Sequence, residues 1–233
     1  MSLELGGLAP AIVCEDADLD AGALALTKGA FYHAGQACIS TQRIYVHKNV
    51  FDDFLMNLKT HADKLVTGNA THENTDVGPL IRPAEVVRIQ NWIQEAMNLG
   101  AKLITGNRVF GERNQFLTPT ILTHVPEECA MMKEEIFGPV VCVNPYEDEE
   151  ALIKELNKSD FIFESALFTK NINRAFKIAQ DISTMTFVIN NHTAFRVDQM
   201  PFGGHKKSGL GMGGVKYSME EMTRVKQIIL KVH

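Results

Sequence analysis

The chain has 233 residues, 45% of them hydrophobic and 22% charged, which is enough for one large domain with a substantial core. Its net charge of −5 and its scattered lysines and arginines argue against a nucleic-acid partner. No apolar run approaches the roughly 18 residues that a membrane span needs, and the opening MSLELGGLAP lacks the features of a signal peptide. We therefore expect neither nucleic acid nor a membrane among its partners.

Four cysteines, Cys14, Cys38, Cys129 and Cys142, lie far apart and form no C-x-x-C pair. In a chain of this length, such spacing is typical of free thiols in a reducing compartment. It predicts no disulfide framework and no metal site, and it favours a cytoplasmic location.

The first half of the chain predicts alternating helices and strands from its apolar periodicity. Pro83 suits the first turn of a helix and Gly100 suits the position just after its end. An acidic cluster, EDADLD, precedes an Ala- and Leu-rich stretch that reads as a helix. The predicted helices are 20–34, 50–65 and 83–99, the strands are 43–47 and 101–105, and a polar loop covers 67–79.

The second half continues the same alternation. Strands are predicted at 116–125, 139–146, 165–169 and 185–190, and helices at 148–158 and 171–182. Pro119 interrupts the first of these strands, which predicts an edge strand or a bend. A glycine-rich loop covers 191–214, and a tail of β character follows a short helix near Met219.

Strands that alternate with helices predict an α/β fold, with three layers and a mostly parallel sheet between helices. We expect one domain over residues 1–222 and a C-terminal β tail over 223–233. The tail is mostly apolar, and two interpretations are open: an edge strand of the same sheet, or an oligomerisation strand that pairs with a neighbouring subunit. Parallel sheets place their chemistry at strand ends and in the loops that follow, so we expect the site there.

Cys38, in the stretch FYHAGQACIST, is a candidate nucleophile. A catalytic cysteine needs access, a depressed thiol pKa and donors for the oxyanion formed on attack. Gly35 lies close by, and backbone N–H groups at such a turn can point at developing negative charge. The alternative is that Cys38 is one more small buried residue.

Two further stretches contain acidic residues with possible roles. Glu4 stands between leucines in LELGG; in an apolar pocket it would be a usable general base, whereas at a frayed terminus it would have no role. Glu135 and Phe137, in KEEIFGPVV, could hold a ribose hydroxyl pair and a flat ring, or form a solvated turn with a core phenylalanine. Met200–Gly214 is rich in glycine but fits neither a G-x-G-x-x-G fingerprint nor a P-loop.

Together these segments resemble the aldehyde dehydrogenase superfamily. LELGG is similar to its glutamate signature, and GQACIS to its cysteine signature; Glu4 and Cys38 are 34 residues apart, the separation characteristic of the family. EEIFGPV and PFGGHKKSGLG match two more family motifs in the right order, and DVGPLI and LTPTIL fit as well. The resemblance runs from Leu3 to the C-terminus.

This resemblance implies an enzyme that oxidises an aldehyde to a carboxylic acid with NAD or NADP. It implies that Cys38 attacks the aldehyde to give a thiohemiacetal and then a thioester, with its backbone N–H as one oxyanion donor. Glu4 would activate the water that hydrolyses the thioester. Glu135 would bind the nicotinamide ribose beside Phe137, and Phe202 would line the aldehyde pocket.

The departures from the family pattern also carry implications. The family's chain is about twice as long, and its first half holds the main dinucleotide-binding domain and an oxyanion asparagine; we therefore interpret this chain as the catalytic half. His33 stands where many members have Asn, and Met212-Gly213 stand where the family often has Arg-Glu. If the glutamate of this Arg-Glu pair acts as a second general base in relatives, Glu4 has a larger share of the base role in this chain.

The natural substrate is a small-molecule aldehyde whose identity the sequence leaves open. Arg196 is a candidate clamp for a carboxylate, phosphate or sulfonate on it, or else it pairs with Asp198 or a glutamate on the surface. The segments around Cys38 and Arg196 are similar to lactaldehyde- and glycolaldehyde-type members. Two other functions stay open: a folded module without dehydrogenase activity, and a cysteine-dependent acyl hydrolase.

Overall fold

The computed structural model describes residues 2–232, so Met1 and His233, the outer ends of the two predicted units, lie outside the described residues. Seven α-helices lie within this range: α1 (Leu19–Phe31), α2 (Phe51–Ala62), α3 (Pro83–Asn98), α4 (Ala130–Lys133), α5 (Glu149–Asn157), α6 (Ile172–Asp181) and α7 (Val215–Met222). The strands in it are β1 (Leu3–Glu4), β2 (Pro10–Val13), β3 (Arg43–His47), β4 (Lys102–Thr105), β5 (Val109–Phe110), β6 (Phe116–Leu117), β7 (Thr120–Thr123), β8 (Val140–Tyr146), β9 (Phe161–Ile162), β10 (Glu164–Phe168), β11 (Thr186–Ile189), β12 (His205–Lys206) and β13 (Gly209–Leu210).

Seven strands form the central sheet, in the order β11-β10-β2-β3-β8-β7-β4. Every neighbouring pair is parallel except β4 and β7. Strand β10 is buried at all five positions and β3 at four of five, so both faces of the sheet are covered. The predicted α/β fold with a mostly parallel sheet between helices is confirmed.

Local sequence explains where the main helices begin. The side chains of Asp18, Asp148 and Asn171 accept hydrogen bonds from backbone N–H groups three residues on, which caps α1, α5 and α6. Pro83 occupies the first turn of α3, where its missing N–H costs nothing. Gly100 follows that helix with φ 109°, as its predicted role after the helix end requires.

Pro119 marks a bend and not an edge. It lies between β6 and β7, and β7 pairs on one side with β4 and on the other with β8. The edge-strand alternative was wrong, because the proline stands just before the ladder and removes none of its hydrogen bonds.

The tail at 223–232 contains no helix or strand and is exposed throughout. The edge-strand alternative for the tail is therefore not realised in this chain. Its large apolar side chains, among them Ile228, Ile229 and Leu230, are 80% exposed or more. Pairing with a neighbouring subunit stays a prediction. Among residues 2–232, no helix combines the length and apolar character needed to cross a bilayer.

Candidate active site

The candidate residues gather at the amino-terminal edge of the parallel sheet. Cys38 precedes β3, Glu135 precedes β8, the LELGG stretch precedes β2, and Phe163 precedes β10. These residues therefore lie before the strands and not in the loops that follow them, where the site was expected. The long loop after β11 also returns to this edge, since Phe202 packs on Phe163 with ring centroids 5.2 Å apart.

Gly7 and Gln42 lock three of these segments together. A Cβ on Gly7 would overlap the carbonyl oxygen of Cys38, so the second glycine of LELGG permits a close backbone approach. The side-chain amide of Gln42 donates to the Gly7 carbonyl at 2.9 Å, and its oxygen accepts from the Ile136 N–H at 2.7 Å. The buried amide thus fixes the glutamate, cysteine and E-E-I-F-G-P segments relative to one another.

The loop that carries Cys38 is held from the other side by Gln36 and Thr193. Gln36 donates to the Pro79 carbonyl at 3.2 Å and accepts from the Ile81 N–H at 2.8 Å. The Thr193 hydroxyl donates to the Ile39 carbonyl at 2.7 Å. These contacts explain why DVGPLI, far from Cys38 in sequence, belongs to the same constellation.

Cys38 is partly buried against a small cluster formed by Ile39, Phe163 and Phe202. Burial, together with the charges of Glu135, Glu4 and Glu164, raises the pKa of its thiol to about 11. The thiol pKa is thus raised and not lowered in this chain, and the role of Cys38 as a nucleophile stays a prediction. Its own backbone N–H favours the thiolate; among residues 2–232 that N–H donates to no other residue, so it can face an oxyanion.

Glu4 is exposed, which corrects the expectation of an apolar pocket. It is nevertheless held in place, because β1 pairs antiparallel with β13 and sets Glu4 opposite Gly209. A Cβ on Gly213 would lie 3.5 Å from its Oε1. Gly213, which stands where many family members have glutamate, is therefore next to Glu4. Without a side chain, it leaves the space beside the Glu4 carboxylate open.

Glu135 is half-buried, and its Oε1 accepts from the Gly7 N–H at 3.1 Å. Burial raises its carboxyl pKa, while the Gly7 hydrogen bond and the Arg88 charge lower it in part. Within the described part of the chain, its Oε2 has no donor. Phe137 is 38% exposed with φ 50°, so the solvated-turn alternative with a buried phenylalanine does not hold.

Phe202 and Arg196 form a stack beside Cys38. Phe202 is 8% exposed, and the Arg196 guanidinium carbon lies 4.4 Å from the centre of its ring. Arg196 is itself exposed and, among residues 2–232, has no carboxylate within ion-pair distance. The alternative pairing with Asp198 is thus not seen, and the cation is available to a ligand.

Glu164 is a candidate that the sequence analysis missed. It is the first residue of β10 and only 3% exposed, and burial raises its carboxyl pKa to about 8. Its charge acts on Cys38, and the charge of Arg196 acts on it. The available signal was an acidic residue at the head of an apolar strand, F-E-S-A-L-F, where burial is costly.

A cavity of about 820 Å³ lies beside the cysteine loop, between α1, the end of α2 and the 67–79 loop. His33 and Gln36 line it, but Cys38, Glu4 and Phe202 do not. It therefore adjoins the candidate site without containing the reacting groups. Within the described residues, no group of three or more His, Cys, Asp or Glu side chains could hold a metal ion.

The chain is similar to several proteins of known function. A 3-sulfolactaldehyde dehydrogenase of Priestia aryabhattai is 42% identical over 232 residues, which are 100% of this chain and 48% of that protein. A lactaldehyde dehydrogenase of Methanocaldococcus jannaschii is 42% identical over 99% of this chain and 49% of its own length. The chain thus spans about half the length of these relatives.

Solved structures and a family model agree with these relatives. Glyceraldehyde-3-phosphate dehydrogenase GapN from Methanocaldococcus jannaschii, complexed with NADP, has a TM-score of 0.92 and 41% identity over 98% of this chain and 49% of its own. Aldehyde dehydrogenase 21 from Physcomitrella patens, in complex with succinate, has a TM-score of 0.88 and 40% identity over 94% of this chain and 45% of its own. The model of the aldehyde dehydrogenase family matches residues 1–228, and the chain belongs to that family.

Proposed function

We propose that this chain is the catalytic half of an NAD(P)-dependent aldehyde dehydrogenase, which oxidises an aldehyde to a carboxylic acid. The observation that carries this proposal is the gathering of Cys38, Glu4, Glu135 and Phe202 at one edge of the sheet. These residues come from four segments spread over the whole chain. Membership of the aldehyde dehydrogenase family supports the proposal.

Cys38 is the nucleophile in this proposal. Its sulfur bonds to the aldehyde carbon and gives a thiohemiacetal, while its own N–H faces the oxygen that becomes negative. With a thiol pKa of about 11, roughly one molecule in ten thousand carries the thiolate at pH 7. The chain by itself therefore supplies the nucleophile without activating it, and the other half of the enzyme or the bound substrate has to change its surroundings.

Glu4 is the general base for the second stage. Its exposure lets a water molecule reach it, and the β1–β13 pairing holds it at the edge of the site. The carboxylate takes a proton from that water, whose oxygen bonds to the thioester carbon and releases the acid and the Cys38 thiol.

Glu135 and Phe137 fit the near end of a dinucleotide. The Gly7 N–H orients the Glu135 carboxylate, and the unoccupied Oε2 can accept from ribose hydroxyls. The exposed Phe137 ring can pack beside them. A bound NAD or NADP supplies the hydride acceptor that the oxidation requires, and the main part of its binding domain belongs to the half that this chain does not span.

The substrate is a small aldehyde with an anionic substituent. Arg196 is exposed, unpaired among the described residues, and steadied on the Phe202 ring beside Cys38. A planar guanidinium in this position suits a sulfonate, phosphate or carboxylate. Two of the similar proteins are named for sulfolactaldehyde and glyceraldehyde 3-phosphate, both of which carry such a group.

Glu4→Gln tests the assignment of the two stages. Incubation with a small activated ester, an acid quench and peptide mass mapping should show an acyl group on Cys38. In Glu4→Gln, acylation should be as fast or faster, because the Glu4 charge raises the thiol pKa. Deacylation should slow by about a hundredfold, so the acyl-enzyme accumulates. Glu73→Gln, a change of an exposed loop carboxylate, is the matched control. Acylation at another residue, or no accumulation, would contradict the assignment.

A second candidate function is a folded module that lacks dehydrogenase activity and at most hydrolyses esters through Cys38. The raised thiol pKa favours it for the isolated chain. The half-length match to the relatives points the same way.

We also propose that the tail joins subunits into a homo-oligomer. Its apolar side chains are exposed in the single chain, and an unpaired apolar segment of this kind readily adds to a neighbouring sheet edge. Deleting residues 225–233 should convert the oligomer to a monomer, as measured by light scattering. An unchanged mass would reject this role, and deletion of the loop residues 71–73 serves as the control.

A further inference from the structure

Glu164 is a buried carboxyl group whose Oε2 lacks a hydrogen-bond partner among the described residues. It is 3% exposed, and its Oε2 makes no hydrogen bond within the described part of the chain. Buried carboxyl groups are nearly always paired or hydrogen-bonded, because desolvation disfavours the charged form. None of the roles proposed above uses it, so its burial at the head of β10 needs another explanation.

The surroundings of Glu164 contain few charges. The flanking strands β2 and β11 carry no charged side chain. Among residues 2–232, the cation whose charge acts on Glu164 is Arg196, and the charge of Glu164 acts in turn on Cys38. His192, a buried titratable residue of the 191–204 segment, packs beside Gly29 on α1.

The aromatic stack links Glu164 to the site. Phe163, its neighbour in the chain, packs on Phe202, and the guanidinium of Arg196 lies 4.4 Å from the centre of the Phe202 ring. Burial raises the Glu164 pKa to about 8, even though the charge of Arg196 lowers it in part. The carboxyl is therefore mostly neutral at pH 7 and mostly ionised at pH 9.

We propose that Glu164 is a positioning residue that controls how much of the positive charge of Arg196 is available to an anionic group on the substrate. When Glu164 is protonated, the guanidinium has no buried competitor and can bind the anion. When Glu164 is ionised, it draws the guanidinium towards β10 and offsets its field at Cys38. This inference rests on the proposed anion-binding role of Arg196.

The test compares the alkylation of Cys38 by iodoacetate and by iodoacetamide. Both reagents react with the thiolate, so the ratio of their rates does not depend on the fraction of Cys38 that is ionised. The ratio reports the local charge that attracts the anionic reagent. The other three cysteines are at most 1% exposed, and Cys38→Ser gives the background. In the wild type, the ratio should fall about fivefold between pH 7 and pH 9, with a midpoint near the Glu164 pKa of about 8.

Three variants identify the groups responsible. Glu164→Gln keeps the size of the side chain and should hold the pH 7 ratio up to pH 9. Arg196→Gln should lower the ratio at every pH and remove its pH dependence. Asp198→Asn changes an exposed carboxylate two residues from Arg196 and should match the wild type. A thermal melt confirms that each variant is folded, and the wild-type profile is informative even if Glu164→Gln fails to fold.

The outcomes separate this inference from the proposed function. In one outcome, Arg196→Gln abolishes the preference for iodoacetate, but the preference falls equally with pH in the wild type and in Glu164→Gln. This outcome would overturn the role of Glu164 and leave anion binding by Arg196 standing. A wild-type ratio without a step between pH 7 and pH 9 would do the same. A ratio that Arg196→Gln leaves unchanged would overturn anion binding by Arg196, and this inference with it.

Discussion

Cys38→Ser is expected to reduce hydrolysis of a small activated ester by about a thousandfold. The reaction needs no dinucleotide, so it reports on the half of the site that this chain contains. Cys38 is the partly exposed thiol, whereas Cys14, Cys129 and Cys142 are at most 1% exposed. A serine hydroxyl in the same place is a far weaker nucleophile without an adjacent base.

The pH dependence of this hydrolysis gives a second readout. Because burial and three carboxylates raise the Cys38 pKa to about 11, the thiolate fraction, and with it the rate, should rise about tenfold per pH unit from neutral pH towards that value. A plateau near pH 8 would contradict this, since it would show a thiol that is less buried than the structure indicates.

Cys129→Ser is the matched control for the thiol change. Cys129 precedes α4 at its N-cap position, where serine is well tolerated, and it is fully buried. It should leave the hydrolysis rate unchanged. Equal rates in the wild type and Cys38→Ser would mean that the thiol does not react without the other half, and the chain alone would then be a folded, inactive module.

The elements that sequence predicts best are those whose signals are local. The strand Arg43–His47 agrees with its prediction at both ends, and α3 begins at Pro83 as expected. Strand β2 lies in the middle of the sheet but was missed by the sequence analysis. Its four residues are all apolar, so they show no alternation of apolar and polar side chains. Only its pairing with β3 and β10 defines it as a strand. The two-residue strands β1, β9, β12 and β13 likewise exist only through their partners.

In the candidate site too, the sequence reveals the local features but not those that depend on the fold. The motifs identify Cys38, Glu4, Glu135 and Phe202, because residue types at fixed spacing are visible in the sequence. The electrostatic environment is not visible there: the raised thiol pKa of Cys38 and the exposure of Glu4 both depend on segments that come together only in the fold. Glu164 was missed because its burial, and the lack of a hydrogen bond to its Oε2 among the described residues, are properties of the packed sheet.

Gly35→Ala is expected to destabilise the chain by about 3 to 5 kcal/mol, one of the largest effects of a single methyl group here. Gly35 has φ 68°, in the left-handed region, and a Cβ on it would overlap the backbone carbonyl of Gly138. It joins the cysteine loop to the turn that follows Glu135 and Phe137. Neither backbone can yield without moving the site, so thiol alkylation at Cys38 should change as well.

Two further glycines separate the sources of this cost. Gly100 has φ 109° but no atom within 4 Å of a Cβ, so Gly100→Ala measures backbone strain alone, about 1 to 2 kcal/mol. At Gly78 the nearest atom to a Cβ, on Ala70, would be 3.7 Å away, and Gly78→Ala should cost less than about 1 kcal/mol. Denaturant unfolding measures all three. The overlap with Gly138 is what distinguishes Gly35→Ala from Gly100→Ala. If Gly35→Ala were no more destabilising than Gly100→Ala, the cysteine loop and the turn at Gly138 would not approach each other as closely as described.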